Sequence, residues 1–224
     1  MRIITWNCCL PPWSFSRKRR IPAIISGLVF YNPDIICLQE VFFKTDAELI
    51  CKGLKALGFR NFFHFKNLLI ISKRPLLNKR GFVFKSQGNL LGWSCLDVLY
   101  GKGFELAQFE YQQEILSLVN THLLSANASQ RQIYQQIRLN QVQEICQLIN
   151  GKAIMVGDFN FCPKTPPYFK IVNSGFLDPS DIELATVPKG KFDYIFIKGF
   201  FSKKAEPIFK GQEISDHMGL IIDI

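Results

Sequence analysis

Several polar residues in this chain fall at the ends of apolar runs, and their types are those that hold cations and move protons. The clearest case is Ala153-Ile154-Met155-Val156-Gly157-Asp158-Phe159-Asn160, where an apolar run rises to a glycine and then presents a carboxylate and a carboxamide. The pattern predicts a buried strand ending at a site, with alternation placing Asp158 and Asn160 on one face. Polar groups so placed need a metal, a phosphate or a hydrogen-bond network, because burying them unpaired is costly. The same letters also fit a strand closed by an Asx-turn, so the rest of the chain must decide.

The same pattern recurs. Asn7 follows the apolar residues 3–6, Glu40 follows 35–38, and His122 follows 115–119. Asp193 opens the run 192–197, and Asp216 and His217 precede the final apolar run 219–224. Glu40 and Asp216 are hard oxygen ligands, and with Asn7 they suit Mg²⁺ or Mn²⁺ better than zinc, for which there is no dense Cys/His cluster. His217 with Asp193 can form a base and its orienting carboxylate. His122 and Asn160 are hydrogen-bond donors suited to the charge that develops on a phosphoryl group.

These residues must be positioned by strands and helices in alternation. Strands are expected at 3–6, 35–38, 67–72, 81–85, 104–111, 115–119, 153–160, 192–197 and 219–224. Helices are expected from Ile21 to Val29, with Pro22 tolerated in the first turn, and over 46–57, with Leu49, Ile50, Leu54 and Leu57 as its stripe. A long amphipathic helix is expected over 127–150, capped near Asn150-Gly151, and a short one over 168–173. Polar groups at the ends of separate strands in such a chain describe a pocket at one edge of an α/β sandwich. The Gly101-Lys102-Gly103 turn with Asp97 upstream reads either as a hairpin with a solvent-exposed lysine or as part of that pocket.

At 224 residues without a Pro/Gly/Ser-rich linker, one domain over 1–224 is expected. No apolar run reaches the roughly 18 to 20 residues that span a bilayer, and the first residues lack a signal-peptide pattern, which predicts a cytoplasmic protein. Seven cysteines, an odd number without CxxC spacing, fit that compartment. A net charge of +9 points to an anionic partner, nucleic acid or an acidic membrane surface, with Arg17-Lys18-Arg19-Arg20 the one compact basic run. Some of the 21 phenylalanines are candidates for insertion between acyl chains or stacking on bases.

Thr5-Trp6-Asn7, Leu38-Gln39-Glu40, Asn120-Thr121-His122-Leu123, Gly157-Asp158-Phe159-Asn160, Asp193-Tyr194-Ile195-Phe196 and Ser215-Asp216-His217 together resemble the ordered motif set of the endonuclease/exonuclease/phosphatase superfamily. The resemblance implies a four-layer α/β sandwich of two packed, mostly antiparallel sheets flanked by helices, and a metal-dependent phosphoesterase. It implies that Glu40 is the main metal ligand, with Asn7 and Asp216 near the ion. It makes Asp158 the residue that orients the attacking water, Asn160 a holder of a phosphoryl oxygen, and His217 with Asp193 the base or the electrostatic partner of the phosphate. His122 would stabilise the pentacoordinate transition state or protonate the leaving oxygen. His122 is similar to the sphingomyelinase, deoxyribonuclease and several phosphatase branches alike, whereas Leu69-Ile70-Ile71-Ser72-Lys73-Arg74-Pro75 and the Asp97 to Lys102-Gly103 element are similar to the neutral sphingomyelinase branch, which implies a phospholipid-headgroup phosphodiesterase with peripheral contact on an anionic membrane. A nuclease acting on DNA or RNA is the alternative from charge, and a non-catalytic binding module of the same fold is the third reading.

Overall fold

In a computed structural model, residues 1–14, 16–88, 100–125, 134–211 and 214–224 are described. One sheet contains β1 (Arg2–Leu10), β2 (Ile35–Val41), β3 (Asn61–Phe65), β4 (Leu68–Ser72), β10 (Glu206–Ile208) and β11 (Gly219–Asp223), in the order β10-β11-β1-β2-β4-β3. The other contains β5 (Leu77–Val83), β6 (Gly103–Tyr111), β7 (Glu114–His122), β8 (Ala153–Asp158) and β9 (Asp193–Lys198), in that order. Each sheet is antiparallel except for one pair, β1 with β2 and β7 with β8. Parallel neighbours need a crossover, and a helix lies within each connection: α1 (Arg17–Tyr31) in the first and α3 (Gln135–Leu148) in the second. Helices α2 (Lys44–Leu54) and α4 (Pro166–Asn173) complete the outer layers.

Side-chain alternation sorts the strands into three apolar layers. Ile4, Trp6, Ile36, Leu38 and Leu69 pack outward against Ile24 and Leu28 of α1 and Ile50 and Leu54 of α2. Ile3, Ile35, Cys37 and Ile70 face inward, meeting Leu116, Leu118, Ile154, Val156 and Ile195 of the other sheet. Val119, Met155, Tyr194 and Phe196 pack outward against Val142 and Ile145 of α3 and Ile171 of α4. Both faces of each sheet are therefore covered, giving the helix, sheet, sheet, helix order expected, and each fully buried Leu or Ile contributes about 1.5–3 kcal/mol. No described helix is long and apolar enough to cross a membrane.

Several element expectations are corrected. In α2 the buried stripe is Asp46, Ala47, Ile50 and Leu54, whereas Leu49 and Leu57 are exposed. Leu49 lies about 100° around the helix from Ile50, and the α-helix gives way at Leu54 to a tighter 3-10 turn, Lys55–Leu57, that carries Leu57 off the stripe. Of the helix expected over 127–150, Gln135–Leu148 is helical, Ile149 is already extended, and residues 127–133 lie outside the described residues. The strand expected at 81–85 runs instead from Leu77 to Val83. Strands β3 and β10 were not expected. The basic run is half consumed internally: Arg17 pairs with Asp46 at 2.5 Å, and Arg20 ties the carbonyls of Cys9 and Ile214, leaving Lys18 and Arg19 exposed.

Strand β8 ends at Asp158 rather than Asn160. Asn160 takes a left-handed backbone (φ +53°) and donates its N–H to Asp158 Oδ1 at 3.0 Å, so an Asx-turn, not alternation, brings the two side chains to the same place. The turn depends on Gly157, at φ +138°, where a Cβ would stand 1.9 Å from the Thr121 carbonyl oxygen of β7. Gly157→Ala is therefore expected to destabilise the fold by about 3 kcal/mol through backbone displacement. Urea unfolding checks this, and a loss below about 0.5 kcal/mol would show that β7 and β8 separate freely at that point.

Candidate active site

The register of the second sheet lines up Gly103, His122, Asp158 and Asp193 across four adjacent strands. Lys102 immediately precedes the first of them. Facing this row, β1 delivers Asn7, β2 delivers Glu40, and the segment ahead of β11 delivers Asp216 and His217. Strand alternation would send Glu40 outward with Leu38. A left-handed backbone at Glu40 (φ +59°) breaks the alternation and turns its carboxylate back toward Asn7. Such a conformation is uncommon for a residue with a side chain and is held by its surroundings.

Asn7 is fully buried and joins the two sheets. Its Nδ2 donates to Glu40 Oε1 at 3.2 Å and to Asp158 Oδ2 at 3.1 Å, and its Oδ1 accepts the Cys9 N–H. Asp158 Oδ2 also lies 3.4 Å from His122 Nε2 and 3.8 Å from His217 Nε2. The other ring nitrogen of His217 meets Asp193 Oδ2 at 2.9 Å. Asn160 is buried beside them, its Nδ2 donating to the Leu123 carbonyl at 3.3 Å. The structure thus brings together Asn7, Glu40, Lys102, His122, Asp158, Asn160, Asp193, Asp216 and His217; Asp97 lies outside the described residues.

Charge in this cluster is unevenly shared. Burial alone would lower the His217 pKa, but the carboxylates of Asp193 and Asp158 raise it to about 10, so its ring is an imidazolium at neutral pH. Burial, assisted by the positive charge of Lys102 and His217, holds His122 well below the usual histidine range, so it is neutral. With Asn67 Nδ2 donating to His122 Nδ1 at 3.2 Å, the remaining hydrogen is placed on Nε2, facing Asp158. Burial raises Asp158 to about 7; His217, Lys102 and Asn7 oppose that rise and Asp193 adds to it. Lys102 is only 5% exposed, which rules out the solvent-exposed hairpin lysine, and its charge acts on Glu40, His122 and Asp158 together.

The donor set fits a divalent cation. Burial raises the pKa of Glu40, and the Asp216 carboxylate raises it further, against Lys102, Asn7 and His217. A desolvated carboxylate repelled by a second carboxylate is an oxygen-donor pair that Mg²⁺ or Mn²⁺ would neutralise; Asn7, whose Nδ2 faces Glu40, would offer the ion its oxygen with the amide turned over. Asp158, Asp193 and His217 also offer three ligand atoms within 4.8 Å of one another. There, however, Asp193 and the His217 ring already satisfy each other, and an imidazolium is no ligand.

Four side chains support the site: Asn67 and Thr186, to which the sequence motifs assign no part, and Trp6 and Ser215, which lie within those motifs. Asn67, at the head of β4, fixes the His122 ring. Thr186 Oγ1 accepts the N–H groups of Phe192 and Asp193, and its carbonyl takes the Met218 N–H. Trp6 Nε1 donates to the His217 carbonyl, and Ser215 Oγ donates to the Asn7 carbonyl at 2.6 Å. Only a polar residue beside a strand end signals Asn67, and nothing in local spacing signals Thr186.

Comparison with known proteins shows the family and the fold. The Endonuclease/Exonuclease/phosphatase family matches residues 4–217. A candidate neutral sphingomyelinase of Drosophila melanogaster is 29% identical over 194 residues, 81% of this chain and 44% of that protein. The chain spans under half the length of the curated relatives it matches. Among solved structures, SmcL superposes with a TM-score of 0.81 at 17% identity, covering 100% of this chain and 99% of SmcL. A Staphylococcus aureus beta toxin variant with bound magnesium ions superposes with a TM-score of 0.72 at 16% identity, covering 99% of this chain and 98% of the toxin.

Proposed function

Because this chain belongs to the Endonuclease/Exonuclease/phosphatase family, we propose that residues 1–224 act as one catalytic domain, a divalent-metal-dependent phosphodiesterase. The observation that carries this reading is the pair of facing devices, Asn7 with Glu40 and His217 with Asp193, joined through Asp158. Glu40, Asn7 and Asp216 would hold Mg²⁺ or Mn²⁺, which when bound would supply positive charge to the scissile phosphate. Asp158 orients the attacking water and takes its proton on Oδ2. It suits that role because its pKa near 7 lies close to ambient pH, whereas His217 already carries its proton. The His217 imidazolium, kept charged and oriented by Asp193, and the Lys102 ammonium stabilise the negative charge that spreads over the phosphoryl oxygens. Asn160 holds one of those oxygens. Neutral His122, its Nε2–H directed into the cluster by Asn67, stabilises the pentacoordinate transition state by hydrogen-bond donation. Asp97 is assigned to the Lys102 side of the site by the sequence pattern alone.

The substrate class we favour is the headgroup phosphodiester of a sphingomyelin-like lipid. Aromatic residues surround the mouth at the same strand ends as the site: Trp13 beyond β1 (58% exposed), Phe43 beyond β2 (38%) and Tyr100 ahead of β6 (41%). Lys18, Arg19 and Lys44 are exposed next to them. Amphipathic rings beside lysine and arginine suit the headgroup region of an anionic bilayer. The net charge of +9 also supports a second reading, a metal-dependent nuclease. Turnover of sphingomyelin in anionic mixed vesicles and of plasmid DNA, each with Mg²⁺, with Mn²⁺ and with EDTA, separates them. Phosphocholine release abolished by EDTA, with DNA intact, is expected. EDTA-sensitive nicking without lipid turnover would replace the lipid reading by the nuclease one, and silence on both would favour a binding module.

A further inference from the structure

One buried acid stands outside every motif that builds the site. Glu105 on β6 is fully buried on the face that looks toward the other sheet, directly across from Asn120 on β7. Asn120 Nδ2 donates to Glu105 Oε2 at 2.9 Å and to the Leu38 carbonyl at 3.1 Å. Asn120 Oδ1 accepts from Gln39 Nε2 at 2.7 Å, and the same Nε2 reaches Thr5 Oγ1 at 3.0 Å. The chain of bonds thus crosses both sheets, with Asn120 at its centre. Its members sit one to three residues below the site: Thr5 below Asn7, Gln39 before Glu40, Asn120 below His122, and Glu105 just inside Lys102. Glu105 Oε1 and Gln39 Oε1 are both buried without a hydrogen-bond partner. A carboxylate that keeps one oxygen buried and unpaired forfeits about 1–3 kcal/mol of hydration there, a cost that binding a proton relieves by discharging the group.

We propose that Glu105 is a positioning residue held as a neutral carboxylic acid between the sheets, and that through Asn120 and Gln39 it fixes the strand ends carrying His122 and Glu40. Burial raises the Glu105 pKa well above the usual carboxylate range, outweighing the hydrogen bond from Asn120 and the weaker pull of the Phe65 backbone N–H, which stands outside hydrogen-bond geometry. The facing titratable group on β2, the Cys37 thiol, is itself pushed up by burial and by Glu105, and so stays protonated. The acid acts one layer behind the reacting groups, and its link to turnover rests on the phosphodiesterase reading above; its protonation state does not.

The experiment compares wild type with Glu105→Gln and Glu105→Leu. Glu105→Gln keeps the shape and provides an N–H where the acid provides an O–H. A raised acid pKa withdraws stability as pH climbs from about 4.5, the unperturbed value, toward the folded value. Wild type is therefore expected to lose Tm relative to Glu105→Gln between pH 5 and pH 8, and a difference that stays flat would overturn the neutral acid. Glu105→Leu strands the Asn120 amide. It is expected to lower kcat on a small soluble phosphodiester by about 10- to 100-fold with KM nearly unchanged, and to weaken Mg²⁺ binding by calorimetry to a similar extent, while Glu105→Gln stays within about twofold on both. Wild-type kcat and Mg²⁺ affinity in a folded Glu105→Leu would overturn the positioning role; should that variant not fold, an order-of-magnitude fall in either quantity for Glu105→Gln would do the same. The Tm and Mg²⁺ readings need no substrate, so they stand even if the chain hydrolyses neither lipid nor DNA.

Discussion

His217→Ala is expected to lower kcat on any phosphodiester substrate by about 10³- to 10⁴-fold and to lower the melting temperature at neutral pH, where the pairing of the imidazolium with Asp193 is still in place. The size follows from what the ring does in place: it carries a positive charge at the bottom of a cluster containing Asp158 and Asp193, 3.8 Å and 2.9 Å away. Removing it withdraws a cation from the developing phosphoryl charge. It also leaves Asp193 without its partner and pushes Asp158 further toward its protonated form. The pH dependence gives a second readout. His217 has its pKa raised to about 10, so the stability it contributes is fully present below its unfolded value near 6.5 and is lost as pH climbs through 10. Asp193→Asn removes one of the two carboxylates that hold the proton, so the imidazolium should titrate at lower pH in that variant, as NMR of the ring resonances would show. An alanine variant within tenfold of wild-type kcat would remove His217 from the chemistry.

Glu40→Gln separates function from stability in the opposite direction. In the metal-free protein Glu40 is a carboxylate withdrawn from water, repelled by Asp216, and set on a left-handed backbone. Neutralising it relieves that repulsion, so the variant is expected to melt no lower than wild type without metal. Its Mg²⁺ affinity should fall at least about 100-fold, since even outer-shell partners of a metal contribute 10- to 100-fold. Hydrolysis should fall with it. Saturating Mg²⁺ raises the wild-type Tm by mass action and should leave the variant unmoved. A variant that still binds Mg²⁺ at wild-type affinity would move the cation away from Glu40, toward Asp158 and Asp193.

The strands that deliver the site were legible because their residues alternate or run continuously apolar, and because each ends in a polar residue that burial would otherwise forbid. That logic found Asn7, His122, Asp158, Asp193 and His217, and the resemblance of six ordered motifs gave the four layers. It failed where geometry departs from periodicity. Nothing in Leu38-Gln39-Glu40 announces that Glu40 leaves the strand's alternation through a left-handed turn. Strand β3, Asn61-Phe62-Phe63-His64-Phe65, lies at the edge of its sheet and shows no two-residue rhythm in burial, so its aromatics gave no period to read. Lys102 was ambiguous because a glycine-flanked lysine is equally at home on a surface hairpin. Thr186 was silent because a threonine in a loop ahead of β9 has no periodicity to mark it, and Glu105 because its partner Asn120 lies on the neighbouring strand.

The strand that opens the chain and the strand that closes it are antiparallel neighbours, with Arg2 opposite Asp223 and the first amino group 2.6 Å from the last carbonyl. Arg2 clamps Asp223 through two bonds, 2.9 and 3.0 Å, at the pole away from Asn7. The two chain ends are thus nearly one point in space, on the side remote from the mouth. A short linker would close the polypeptide into a ring there, and the ring could be reopened at an exposed turn to give a permuted enzyme. A fusion partner grafted at either end would hang clear of the cluster at the opposite strand ends.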